Sequence, residues 1–203
     1  MLCLGAHSDD IEIGCGGSVL SLIAENPGAV VDWIVFGATG ERASEARASA
    51  EAFLADAGRK SIDVRSFQDG FFPYVGGAIK EYFEEIKQEL DPDIIFTHFR
   101  HDLHQDHRVI SELTWNTFRN HLILEYEVIK YDGDLGSPNV FIAVDRATCR
   151  RKVDTILKSF KTQGSRSWFT EDVFRSLLRI RGVECNALDG YAEAFYCRKM
   201  VIR

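Results

Sequence analysis

Two sets of histidine and aspartate residues follow two short apolar runs. His7, Asp9 and Asp10 come directly after Leu2 to Ala6, and His98, His101, His104, Asp106 and His107 come at or after Asp93 to Thr97. Imidazole nitrogens and carboxylate oxygens are donors that zinc takes, and a catalytic zinc site uses three protein ligands and keeps a position for water. His7, Asp10 and His107 supply that count. Asp9 then stands beside the ion unbound, free to take a proton from water. His104, three residues before His107, could lie across the site and donate to a developing oxyanion. Asp106 is placed to hold a ring N–H, the usual means of fixing a histidine's tautomer. Zinc suits this set, and other divalent ions are accepted by the same donors.

Each residue also has an ordinary explanation. A lone His at a strand end is commonly a capped or partly exposed side chain, and an Asp-Asp pair before a helix is commonly an N-cap favoured by the helix dipole. Clustering decides for the metal, because four of the six histidines fall within residues 98–107, beside one strand end. His98 and His101 stay open between loop hydrogen bonding and substrate contact, and His121 reads as structural.

Strands must bring these sets together. Leu2 to Ala6, Ala29 to Phe36 and Asp93 to Thr97 are nearly continuous apolar runs, as expected of strands buried on both faces. Ser61 to Phe67 alternates like a shorter strand. Between the strands, helices are expected over Ser18 to Glu25, Glu41 to Ala57 and from Gly76-Gly77 to Leu90. Val109 to His121, Arg146 to Lys161 and Thr170 to Ile180 read as later helices. Leu122 to Asp132 and Asn139 to Val144 read as strands, and Tyr191 to Ile202 as a mixed terminal element. Strand–helix alternation from the start predicts an α/β fold: one doubly wound domain over 1–203, its twisted sheet mainly parallel with helices on both faces. In such sheets ligands bind outside the carboxyl ends of the strands. If the first and fourth strands are neighbours, their ends bring the His/Asp sets together.

Gly14-Cys15-Gly16-Gly17 invites a dinucleotide-binding reading, but that fingerprint needs its first glycine directly after the strand. Here seven residues separate Ala6 from Gly14. The glycines instead suit close packing of a helix on the sheet. Cys15 has no evident basic neighbour to activate it, so packing is the better role. Phe71-Phe72-Pro73-Tyr74 offers either a stacking face for a sugar or a hydrophobic loop closing on the core.

The bulk composition fits a single globular domain, at 203 residues, 45% hydrophobic and 27% charged. No long apolar run suggests a membrane span or signal peptide. Five cysteines, odd in number and without a C-x-x-C pair, suit a reducing cytoplasm. A net charge of −7 argues against broad nucleic-acid binding. That charge is uneven: residues 146–203 hold 13 Lys/Arg against 6 Asp/Glu, whereas residues 1–145 hold 11 against 25. The basic segment either packs beside an acidic body or brings arginines to an anionic substrate. No stretch marks a subunit interface, so monomer and homo-oligomer both stay open.

Ala6-His7-Ser8-Asp9-Asp10 with the glycines after it, and His104-Gln105-Asp106-His107, resemble the two signatures of the PIG-L (LmbE-like) de-N-acetylase family. Arg42-x-x-Glu45-Ala46, Asp69-Gly70 and Tyr191-Ala-Glu-Ala-Phe195 extend the likeness through most of the chain. The resemblance implies a Rossmann-like zinc hydrolase removing an N-acyl group, usually acetyl, from an amino sugar such as N-acetylglucosamine. It implies His7, Asp10 and His107 as zinc ligands and Asp9 as general base, with His104 stabilising the tetrahedral intermediate, oriented by Asp106. Arg42 and Asp69 fall where relatives contact the sugar, against the alternatives of a helix-start salt bridge and a turn residue. Ser8 for the commoner proline and Ile11 for glutamate depart from the pattern without touching a ligand or the base. The signatures report the reaction, not which small-molecule sugar is bound.

Overall fold

The computed structural model describes residues 1–201. Its elements in chain order are β1 (Leu2–His7), α1 (Asp10–Glu25), β2 (Val30–Gly37), α2 (Gly40–Phe53), β3 (Arg59–Val64), α3 (Gly76–Glu89) and β4 (Ile94–His98). There follow α4 (Gln105–Thr117), β5 (Leu122–Tyr126), β6 (Val140–Val144), α5 (Arg146–Ser159), α6 (Glu171–Glu184) and β7 (Tyr191–Cys197). Ile202, the end of the expected terminal element, lies outside the described residues.

The strands form one seven-stranded sheet in the order β3-β2-β1-β4-β5-β7-β6. The pairs β1–β2, β1–β4, β2–β3 and β4–β5 are parallel, while β7 runs antiparallel to both β5 and β6. Strand order reverses between β1 and β4, the switch point where open α/β sheets hold ligands. His7 ends β1 and His98 ends β4, so both histidine sets start from that crevice.

Both faces of the sheet are covered, which is why the central strands read as unbroken apolar runs. Side chains alternate along a strand, and successive residues duly join different cores. Cys3, Trp33 and Val35 pack toward α1, α2, α5 and α6, whereas Leu2, Leu4, Ile34 and Phe36 pack toward α3 and α4.

Two helices begin earlier than the sequence suggested. The first starts at Asp10, eight residues ahead of Ser18, and takes Gly14, Gly16 and Gly17 into its body. Low intrinsic helix propensity yields here to packing: a Cβ on Gly14 would sit 2.1 Å from the Tyr126 ring, and one on Gly16 2.6 Å from Phe53. Cys15 is buried in that same contact layer, and burial pushes its thiol well above the usual range. The other, α4, starts at Gln105 and not Val109, so His107 stands in a first helical turn with His104 at the N-cap.

Candidate metal centre and catalytic cleft

The end of β1, the N-terminus of α1 and the β4–α4 loop converge on three atoms. His7 Nδ1 and His107 Nε2 are 3.2 Å apart. Asp10 Oδ2 is 3.3 Å from His7 Nδ1 and 3.5 Å from His107 Nε2. Ligands about 2.0–2.1 Å from a tetrahedral zinc ion stand roughly 3.3–3.4 Å from each other. The triangle therefore matches one face of a zinc coordination tetrahedron.

Hydrogen bonds on the far side of each ring aim its lone pair into that triangle. His107 Nδ1 is 2.9 Å from Asp102 Oδ2, so Nδ1 carries the proton and Nε2 is free to ligate. His7 Nε2 lies 3.1 Å from Asp106 Oδ2 and 3.1 Å from Asp69 Oδ1, which puts the proton on Nε2 and leaves Nδ1 free. Asp10 is fixed by the His7 backbone N–H, which donates to Oδ2 at 2.6 Å. Carboxylate–histidine pairs of this kind hold metal ligands in one tautomer and raise their basicity.

The electrostatics suit a cation. Burial alone would lower the pKa of His7, but Asp10, Asp106 and Asp69 more than offset it and raise it well above the ordinary value. His107 is pushed down to about 3, first by burial and then by the neighbouring His98, and so stays a neutral imidazole. Asp9 does not cap α1 with its side chain. Burial, and then the charge of Asp10, push its carboxyl up to about 6, against the opposing pull of Arg42, whose guanidinium is 3.8 Å away.

The remaining expected residues divide. His104 Nδ1 accepts the Asp106 backbone N–H at 3.2 Å, so its proton sits on Nε2. Its ring lies 4.8 Å from that of His7 and 4.6 Å from that of His107, centroid to centroid. The Asp106 carboxylate does not orient His104, contrary to the sequence expectation. It accepts the Gly70 and Phe72 backbone N–H groups and binds His7, because the β3–α3 loop folds over it. Arg42 donates to Asp69 at 3.0 Å and to Ser8 Oγ at 3.2 Å, and both Arg42 and Asp69 line the cleft. His101 does not reach it. Asp102 turns inward beside it, leaving His101 exposed against Phe99.

His98 is buried and stacks on His107 with centroids 3.9 Å apart. Its Nε2 accepts the Ala6 N–H at 2.9 Å, which occupies the lone pair that would otherwise ligate. It is a wall of the site, not a fourth ligand. In the Phe71–Tyr74 segment only Phe72 is buried, 5.9 Å from the His7 ring, and none of the four lines the cleft.

Several contributors went unseen in the sequence. Asp102 holds His107, and its only local signal was the alternation Asp102, His104, Asp106. Val128, Lys130, Tyr131 and Asp132 reach the cleft from the β5–β6 loop, and Gln163, Arg166 and Trp168 from the segment after α5. These close a cleft of about 230 Å³ over the triangle of His7, Asp10 and His107.

The fold is widely shared. A conserved protein from Thermus thermophilus superposes with a TM-score of 0.74 at 18% identity, covering 100% of this chain and 95% of its own. The N,N'-diacetylchitobiose deacetylase of Pyrococcus horikoshii gives 0.66 at 20% identity, over 97% of this chain and 82% of its own. The 4-carboxy-2-hydroxymuconate hydratase of Pseudomonas putida gives 0.72 at 16%, over 100% and 97%. Among curated protein sequences, none matches the chain. At the level of families, residues 2–118 match the model described as PIG-L: GlcNAc-PI de-N-acetylase. That span is more than half of the chain and runs from β1 through the whole histidine loop, so the protein belongs to the PIG-L family.

Proposed function

We propose that the protein is a metal-dependent N-deacetylase hydrolysing the acetamide of an amino sugar, N-acetylglucosamine or a conjugate of it. The observation that carries this is the convergence of three lone pairs, from His7, Asp10 and His107, beside an uncapped Asp9 carboxylate in one cleft. Family membership and the deacetylase neighbour from Pyrococcus support the same reading. A zinc ion held by those three residues would supply Lewis-acid polarisation of the amide carbonyl and acidify water to a pKa of about 7.

The chain's own residues do the rest. Asp9 accepts a proton from water as its oxygen adds to the carbonyl carbon. His104, with Nε2–H free, donates to the oxygen that gains charge. Asp9 then returns the proton to the nitrogen as the C–N bond breaks, giving acetate and a free amino sugar. Asp106 and Asp102 keep His7 and His107 in their ligating tautomers. In this reading Arg42 and Asp69, paired on the cleft wall, meet sugar hydroxyls. The odd, scattered cysteine set keeps the cytoplasm as the proposed compartment.

One observation favours an anionic substrate. Three cations line the cleft, and two are engaged by carboxylates: Arg42 by Asp69 and Lys130 by Asp102 and Asp134. The Arg166 guanidinium has no ion pair among the described residues, and Trp168 lies on the same wall. Acetate release from N-acetylglucosamine, its 1-phosphate and a nucleotide-linked form tests both levels. Arg166→Gln is expected to raise KM for the phosphorylated sugars by about 10-fold or more, the worth of a charge-assisted hydrogen bond, and to leave the neutral sugar unchanged. Equal effects on all three would remove the charge preference. Bound zinc without acetate release from any would point to another acyl group or a larger scaffold, and no zinc binding would favour a non-catalytic sugar- or nucleotide-binding module.

A further inference from the structure

Behind His107 the hydrogen bonds continue to a second loop. Asp102 Oδ2, which holds His107 Nδ1, also lies 2.9 Å from Lys130 Nζ. The same ammonium is 2.6 Å from Asp134 Oδ2 and 3.8 Å from Asp132 Oδ2. Asp134 Oδ2 in turn accepts the Leu103 N–H at 2.8 Å, and Asp102 Oδ1 accepts the His104 N–H at 2.8 Å. Exposure of the three central side chains is 11% for Lys130, 3% for Asp102 and 8% for Asp134. One cation thus balances two nearly buried carboxylates and fills what would otherwise be an acidic cluster. It also ties the β5–β6 loop to the β4–α4 loop that carries His104 and His107.

We propose that Lys130 is a positioning residue for the metal centre: by pairing with Asp102 it holds the carboxylate that orients His107. The inference rests on the metal reading above. Without the ammonium, Asp102 and Asp134 lose their shared counter-charge and keep only their hydrogen bonds to His107 and the backbone, and removing one partner of a buried ion pair is strongly destabilising. Two other roles fit Lys130 less well. Its charge is already shared between carboxylates, which leaves little for a substrate, and it touches no metal-ligating atom directly.

Zinc affinity of the full chain, measured by competition with a chromophoric chelator, tests this without reference to turnover. Lys130→Met is expected to raise the zinc dissociation constant about 10- to 100-fold, the range found when outer partners of ligand histidines are lost. Lys130→Arg, which keeps the charge, is expected to stay within about threefold of wild type, well inside that range. In an Asp102→Asn background the further loss from Lys130→Met is expected to shrink, because coupled residues are not additive. Unchanged zinc affinity in Lys130→Met, or a change confined to KM at saturating zinc, would overturn the proposal and make Lys130 a substrate contact or a loop tether. If the methionine variant fails to fold, Lys130→Arg and Asp134→Asn carry the test, since both keep a cation on Asp102; a tenfold loss of affinity in either is the contrary result. Wild-type protein that binds no zinc would instead remove the metal reading itself.

Discussion

At the scale of single residues, what matters is which nitrogen of each ring carries the proton. Asp102 sets this for His107, and Asp106 with Asp69 sets it for His7, so that the two free nitrogens stand 3.2 Å apart. Without an ion, the raised pKa of His7 lets a proton on Nδ1 bridge to the neutral His107 Nε2; in the proposed reading a metal ion takes that proton's place. His107→Ala is therefore expected to reduce bound zinc from one per chain to a small fraction, read by metal analysis after gel filtration. Full occupancy in that variant would mean the ligand set is wrong. The sequence made His7, Asp10 and His107 legible because the first two are separated by one turn and the third sits in a dense histidine run. It could not tell which ring Asp106 serves. That choice depends on Gly70 and Phe72, whose N–H groups arrive from a loop more than thirty residues away to fix the carboxylate.

At the scale of elements, α1 is the device that delivers Asp9 and Asp10. Its glycines let it lie against β5 and α2 at distances no side chain tolerates, with Tyr126 filling the space over Gly14 and its hydroxyl donating to the Leu4 carbonyl at 2.6 Å. Deeper in the helix, the Glu193 carboxylate takes the Gly17 and Ser18 N–H groups while Lys152 donates to the Ile13 carbonyl, pinning α1 to β7 and α5. Gly14→Ala is expected to destabilise the fold by about 1–3 kcal/mol through overpacking, despite the better helix propensity of alanine. At roughly 2–4 °C per kcal/mol for a chain of this size, the melting temperature should fall by several degrees. A rise would show that the close approach is not what the glycine is for. The early start of α1 was hidden because four residues of Gly-Cys-Gly-Gly look like a break; only the partner surface reveals that they are inside the helix.

At the scale of the whole molecule, strand–helix alternation foretold a mainly parallel sheet but left open whether the first and fourth strands are neighbours; the sheet order places the β1 and β4 ends side by side. Sharing this fold does not fix a reaction, since a hydratase superposes on it as closely as a deacetylase does. The chemistry rests on the residues at the switch point. None of the described helices is long and apolar enough to cross a membrane. What sequence reading missed at this scale is the far wall of the cleft. Lys130 lies in a loop, because β5 ends at Tyr126 and not at Asp132 as the sequence suggested, Arg166 lies in a segment with no periodicity, and only the completed fold sets them over His7, Asp10 and His107. The basic excess after residue 145 left packing against an acidic body and contact with an anionic substrate both open, and it singled out no residue.

The central claim is that a metal held by His7, Asp10 and His107 works with Asp9 as the base. It is tested most directly by acetate release from N-acetylglucosamine and its phosphorylated forms, using metal-depleted wild-type and Asp9→Asn protein titrated with zinc. The account predicts that one equivalent of zinc binds to both proteins and restores release only in wild type. The variant should fall by about 10²- to 10⁴-fold, the usual worth of general-base help. Release that is equal with and without metal, or near-wild-type turnover in Asp9→Asn, would contradict it.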